Sequence, residues 1–230
     1  MCGRYALHQP HELKARFKLP QKDIDARREY LRERYNIRPS QLLPAIVKRG
    51  ARRHLELMLW GFVPRWAKNP KVVIKYRTFN ARSEEVFDRL TWKDAIRYNR
   101  CLVPATGFYE WLETPTGKLP FFIHPKDQEL FAFAGVYGSW HDSKGKEWQT
   151  YSILTTAPNK DVADIHDRMP VILQPADEDR WLDPANDTPE SIADLLRPYD
   201  DGQLEVYRVS PSVNTARVDK DRLIRPIKAS

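Results

Sequence analysis

The second residue of this chain is a cysteine, in Met1-Cys2-Gly3-Arg4, and loss of the initiator methionine would leave an amine and a thiol on adjacent carbons. A terminal α-amine titrates at roughly 7.7–8.0 and a lysine at about 10.4, so at neutral pH the terminus is the free base far more often. It can condense with an aldehyde to an imine. The thiol, with an ordinary pKa near 8.5, can then add to that imine and close a thiazolidine ring, trapping the aldehyde. The ordinary alternative is that Cys2 is a small buried hydrophobe or part of a loose terminus, and its position alone does not choose.

Three further clusters carry chemistry. Gly107-Phe108-Tyr109-Glu110-Trp111 puts a carboxylate among aromatics in an expected strand. Apolar surroundings raise a carboxyl pKa and suit a general acid or base, although strand alternation equally allows Glu110 to point into water. Ile165-His166-Asp167-Arg168-Met169-Pro170 lies where an expected helix gives way to a strand. There His166 can shuttle protons and Arg168 can grip a phosphate; a helix-terminal histidine beside an Asp167–Arg168 surface pair is the plainer alternative. Thr78-Phe79-Asn80-Ala81-Arg82-Ser83-Glu84 spaces an amide and a guanidinium two residues apart, which in extended chain aims both to one side. Asn80 can orient an amine or oxyanion and Arg82 can hold phosphate, or Asn80 is a turn residue.

Arg34-Tyr35-Asn36-Ile37-Arg38-Pro39 and Trp60-Gly61-Phe62-Val63-Pro64-Arg65-Trp66 mix basic, aromatic and proline residues, a composition that stacks unpaired bases beside a phosphate track. Core packing explains Trp60 and Phe62 equally well. Trp66, with Arg65 and Lys68 near it, is the better candidate for exposure. Cys101, in an apolar run, reads as a buried structural thiol.

The elements that must position these groups are mostly strands. Residues 42–48 and 54–62 form an expected hairpin turning at Gly50. Leu102-Val103, Gly107 to Leu112, Phe121 to His124, Leu130 to Tyr137 and Trp148 to Thr155 are aromatic and β-branched runs split by turn residues, and Leu204 to Val209 adds a late strand. Helices are expected over 10–17, 83–87, 91–96, 159–165, 176–182 and 188–196, several with Ser, Thr or Pro at their starts. Residues 22–34 are charged without apolar periodicity and read as a solvated helix or loop. The expectation is an α+β fold, a curled, barrel-like and mainly antiparallel sheet flanked by short helices, in one domain spanning 1–230.

Composition narrows the function classes. The 230 residues are 41% hydrophobic, with nine Phe, seven Trp and ten Tyr, enough for a real core. Two cysteines cannot make a disulfide framework, and their spacing fits no zinc pattern. No metal or other cofactor is expected. Charged residues interrupt the first twenty positions and no run approaches the roughly 18 apolar residues of a membrane span. The expectation is a cytoplasmic protein, nucleoid-associated if bacterial, with no membrane partner. A formal net charge of +7 favours an anionic partner, nucleic acid foremost.

Taken together, Met-Cys-Gly-Arg, Arg34-Tyr35-Asn36 with Pro39, Trp60-Gly61, Asn80-Ala81-Arg82-Ser83-Glu84, Gly107-Phe108-Tyr109-Glu110-Trp111, Ile165-His166-Asp167-Arg168-Met169-Pro170 and Val209-Ser210 with Val213-Asn214 resemble the SOS response-associated peptidase (SRAP) family, in that family's order and over nearly the whole chain. The resemblance implies that Cys2, freed by self-processing, crosslinks to the ring-opened sugar of abasic sites in single-stranded DNA, reversibly in some contexts and with lyase activity. It implies that Asn80 holds the amine or sugar, Glu110 assists proton transfer and His166 helps open the sugar. It further implies that Arg4, Arg82 and Arg168 hold flanking phosphates, while Asn36, Pro39 and Trp66 line a path favouring single strands and single-strand/double-strand junctions. A monomer suffices for this chemistry. Some members carry two consecutive tryptophans where this chain has Trp66-Ala67, one aromatic platform fewer. Two rivals make different predictions: a cysteine peptidase or amidohydrolase that turns over external amides through Cys2, and a non-catalytic single-strand-binding module indifferent to Cys2.

Overall fold

A computed structural model of the chain describes residues 3–227; the expectations for Met1 and Cys2 lie outside these residues. In chain order, β1 (Tyr5–Leu7), α1 (Leu13–Phe17), α2 (Gln21–Ala26), β2 (Arg34–Ile37), β3 (Leu42–Arg49), β4 (Arg52–Trp60) and α3 (Val72–Tyr76) come first. They are followed by β5 (Asn80–Arg82), α4 (Lys93–Tyr98), β6 (Arg100–Ala105), β7 (Gly107–Thr114), β8 (Gly117–Pro125), β9 (Phe131–His141) and β10 (Glu147–Thr156). The chain closes with α5 (Lys160–Ala163), β11 (Met169–Pro170), β12 (Ile172–Leu173), α6 (Glu178–Leu182), α7 (Pro189–Ile192) and β13 (Leu204–Arg208).

Five strands close on themselves. β10 pairs β4, β4 pairs β3, β3 pairs β6, β6 pairs β9, and β9 returns to β10. Closure removes the exposed strand edges that an open sheet would present. All these pairings are antiparallel except β10–β4, where Thr150 lies opposite Leu59 and Tyr151 opposite Trp60. A second sheet, in the order β13-β8-β7-β1-β2, packs against the barrel. Tyr5 and Phe108 of this sheet share one buried apolar cluster with Trp60 and Phe133 of the barrel. The fold is α+β, as the strand runs imply.

Local chemistry explains the elements. The β3–β4 hairpin turns through Gly50 and Ala51, with Arg49 opposite Arg52 and Gly50 at a φ of 59°, a left-handed angle that glycine adopts without a Cβ clash. On β9, Phe131 to Val136 are all buried, the continuous apolar run expected of a strand covered on both faces. Gly107 opens β7 because a Cβ there would lie 2.1 Å from the ring of Phe122.

Three expectations need correction. Residues 83–87 form turns rather than a helix: Ser83 N–H donates to the Thr155 carbonyl at 2.9 Å, and Glu84 is drawn onto Arg168. Long-range pairing overrides the local helical signal there. Residues 22–34 do not form one solvated element; the segment splits into α2, a 3₁₀ turn at Arg28–Tyr30 and the start of β2. The expected helix over 188–196 is a single turn of α7 followed by a 3₁₀ turn at Ala193–Leu195.

Candidate active site

Glu110 sits mid-way along β7, opposite Phe121 of β8. Alternation places it on the same face as Phe108, which joins the core shared with the barrel. Tyr109 points the other way, but that face is covered too, by Val209, Val213 and Leu223. Packed on its own face against that core, Glu110 is 2% exposed. Burial pushes its carboxyl pKa up to about 7, because desolvation penalises the anion.

His166 meets it from the other side. The Asn159 side chain caps α5 by accepting from Val162 N–H, and the amides of Ile165 and His166 both donate to the Val162 carbonyl. That turn delivers His166 Nε2 to 3.7 Å from Glu110 Oε2. On the far edge of the ring, Arg168 N–H donates to His166 Nδ1 at 2.9 Å, and Asp167 Oδ1 lies 3.0 Å from the same nitrogen. Burial holds the His166 pKa below its ordinary value. Glu110 and His166 line a cleft of about 640 Å³ whose rim carries Arg77, Arg82, Trp111 and Lys118.

Asn80 and Arg82 come from β5, a strand that pairs in parallel with β10, Asn80 opposite Ile153 and Arg82 opposite Thr155. Asn80 is buried and Arg82 exposed. Both line a neighbouring cleft of about 440 Å³ with Trp66, Tyr76 and Trp92. Arg77 and Arg82 line both clefts, so the two lie side by side with basic residues between them. Trp66 is 66% exposed and also borders a third cleft of about 630 Å³ beyond it. Its loop is fixed from below, where Trp140 Nε1 donates to the Ala67 carbonyl at 2.7 Å. Trp60 and Phe62 are core residues, and Cys101 is a buried thiol whose pKa burial raises.

The other expected site residues are placed differently: Arg168 lines the cleft of Glu110 and His166 but its terminal nitrogens are bonded within the protein, and Arg4, Asn36 and Pro39 lie elsewhere. Arg168 is 9% exposed and its fork is filled: Nη1 and Nη2 donate to the two Glu84 oxygens at 2.7 and 2.8 Å, and Nη2 also donates to the Thr155 carbonyl at 2.5 Å. Its ion-pair partner is therefore Glu84, not Asp167. Arg4 Nη1 donates to Asn36 Oδ1 at 2.5 Å and to the Val213 carbonyl at 3.1 Å. Asn36 is itself buried, with Nδ2 directed at the carbonyls of Val213, Thr215 and Val218. Pro39 lies in the turn from β2 to β3. Arg4, Asn36 and Pro39 line none of these three clefts. Arg77 and Lys118 line the cleft of Glu110 and His166 without having been expected there, and Arg77 lines the neighbouring cleft as well. No motif marks Arg77: it follows α3 at a φ of 52°, left-handed for a non-glycine residue, so the path of the chain sets its place. Among the described residues no group of three or more His, Cys, Asp or Glu is arranged to hold a metal, and no helix is long and apolar enough to cross a membrane.

Comparison with known proteins bears on what these clefts do. The family described as SOS response associated peptidase (SRAP) matches residues 1–216. The abasic site processing protein YoqW of Bacillus subtilis is 38% identical, over 97% of this chain and 99% of its own. The abasic site processing protein HMCES of Gallus gallus is 32% identical over 99% of this chain and 78% of its own. A crystal structure of a protein from Bacteroides thetaiotaomicron superposes with a TM-score of 0.90 at 26% identity, covering 99% of this chain and all of that one.

Proposed function

The chain belongs to the SOS response associated peptidase family, and from that premise we propose that it captures abasic sites in single-stranded DNA as a covalent adduct of Cys2. The observation that carries this reading is the buried Glu110 facing His166 on the floor of a basic-rimmed cleft. The N-terminal strand supports it: Tyr109 N–H donates to the Arg4 carbonyl at 3.0 Å, so β1 runs beside the strand that bears Glu110. With a reach of about 3.3 Å per residue, a terminus two residues upstream of Arg4 can meet that carboxyl.

Water first cleaves the Met1–Cys2 bond, the self-processing step. The freed amine adds to the aldehyde of the ring-opened deoxyribose, giving a carbinolamine. Glu110, whose raised pKa keeps a substantial acid fraction near neutrality, protonates the hydroxyl that leaves as water, and the imine forms. The Cys2 sulfur then bonds to the imine carbon while its proton passes to nitrogen, closing the thiazolidine with net loss of one water. His166 moves the proton between ring oxygen and solvent as the sugar opens. Reversal runs the same transfers backwards, and strand cleavage from the imine is the lyase branch. Asn80 orients the amine, and Arg82 with Arg77 holds phosphates between the two clefts. The strand runs on past Trp66, which offers a ring face to an unpaired base.

Intact-mass measurement of the purified chain, alone and after incubation with a single-stranded abasic oligonucleotide, tests this directly. The expected result is loss of Met1 and then an adduct equal to the oligonucleotide minus one water. Efficient adduct formation by a chain that retains Met1 would overturn it, as would turnover of external peptides with no stable adduct.

A further inference from the structure

We infer that Glu84 and Arg168 are positioning residues that fix the tautomer of His166, so that its proton is carried on Nε2 and faces Glu110. The geometry is one-directional. A backbone N–H can only donate, so the Arg168 amide, 2.9 Å from His166 Nδ1, requires a lone pair there, and the neutral ring must keep its proton on Nε2. Asp167 Oδ1, 3.0 Å from the same nitrogen, pulls the opposite way, since a carboxylate accepts and would favour a proton on Nδ1. These two neighbours compete for one atom.

What decides between them is which is held more firmly. Asp167 has a side chain 83% exposed, free to take water instead. Arg168 is clamped by both Glu84 oxygens and the Thr155 carbonyl, a bidentate charge-assisted pair of the strong, geometrically specific kind. The pair holds Glu84 below its ordinary pKa, so it remains ionised through the physiological range. The clamp keeps the Arg168 amide on His166, as outer partners elsewhere fix which imidazole nitrogen carries the proton. A proton on Nε2 and the Glu110 oxygen 3.7 Å away can both hydrogen-bond one reacting oxygen lying beside them. The same fork that sequence reasoning offers to a phosphate is, on this inference, spent inside the protein. Its catalytic consequence rests on the crosslinking reading above; the tautomer itself does not.

The experiment is nitrogen-15 NMR of the imidazoles in the free, full-length chain at pH 8, where His166 is neutral, for the wild type, Glu84→Gln and Arg168→Lys. His166→Gln supplies the assignment. The wild type is expected to show the Nε2–H form, and both variants to lower the Nε2–H to Nδ1–H ratio about tenfold and slow crosslinking about as much. Binding of undamaged single strands, and its salt dependence, should be unchanged in Glu84→Gln. A wild-type Nδ1–H form, or an unchanged ratio in folded variants, overturns the inference without touching the crosslinking reading. So does tighter, more salt-sensitive DNA binding by Glu84→Gln, which would mean that Glu84 restrains a phosphate clamp. Should both variants fail to fold, the wild-type tautomer alone still decides.

Discussion

Glu110 and His166 face each other at 3.7 Å, and burial shifts the two in opposite directions, the carboxyl up to about 7 and the imidazole below its usual value. Near neutrality the ring therefore favours its neutral form and the carboxyl keeps a substantial acid fraction. The carboxyl can donate a proton, and the Nε2–H of the neutral ring can hydrogen-bond the same reacting oxygen, a pairing suited to imine formation and its reversal.

The rate of crosslinking should pass through a maximum with pH. The Glu110 acid form is lost as pH rises through about 7, while the amine becomes the free base toward its ordinary value of roughly 8. Glu110→Gln should abolish the alkaline fall and slow the reaction by about 10²-fold or more, with affinity for undamaged single strands retained. Timed adduct formation from pH 5.5 to 9 checks this; a variant that keeps the wild-type profile excludes the role.

Glu110 should also leave a mark on stability. Its folded pKa lies above the unfolded one, so between about 4.5 and about 7 the folded state binds more protons, and stability falls as pH rises through that window. Glu110→Gln should remove this slope, gaining on the wild type by an amount of order 3 kcal/mol at pH 8 as an upper bound and by little at pH 4.5. Urea denaturation at the two pH values gives the comparison, and equal shifts at both would contradict it.

Trp66→Ala should separate binding from folding. With a side chain 66% exposed, its loss should change stability by no more than about 0.5 kcal/mol. Affinity for single-stranded DNA should weaken by ~1–3 kcal/mol if a base stacks there, measurable by fluorescence anisotropy. Unaltered affinity would remove Trp66 from the DNA path.

Gly107→Ala tests the scaffold instead. The new Cβ would lie 2.1 Å from the Phe122 ring, which is 2% exposed and packed against Tyr109. Overpacking of this kind costs about 1–3 kcal/mol, read as a lowered urea midpoint, and the displaced β7 should slow crosslinking as well. A midpoint equal to wild type would show that the ring gives way freely.

Much of this arrangement was legible in the residues. Alternating and continuous apolar runs located nearly all the long strands, Gly50 located the hairpin, and the aromatic company of Glu110 raised the possibility of a shifted carboxyl. What decided that possibility was the packing of the Phe108 face, on which Glu110 lies, against the barrel, a tertiary contact invisible to strand alternation. Arg168 shows the same limit. Its fork suits a phosphate in isolation, and only the folded chain brings Glu84 onto it. Asn80 to Arg82 read as the approach to a helix because a three-residue strand carries almost no periodicity. Its pairing with β10 is a tertiary fact. Arg77 gained its place in two clefts from the path of a loop rather than from any motif.

The parallel pairing of β5 with β10 sets an order of events during synthesis. Asn80 has no strand to dock on until Ile153 has been made, and His166 follows later still. On a nascent chain the cleft of Glu110 and His166 is thus incomplete until β10 and the turn after α5 have emerged, and contacts so distant along the chain are slow to form. If Cys2 captures lesions as proposed, competence arises only near the close of translation, and a truncated product ending before β10 would lack the cleft that directs it.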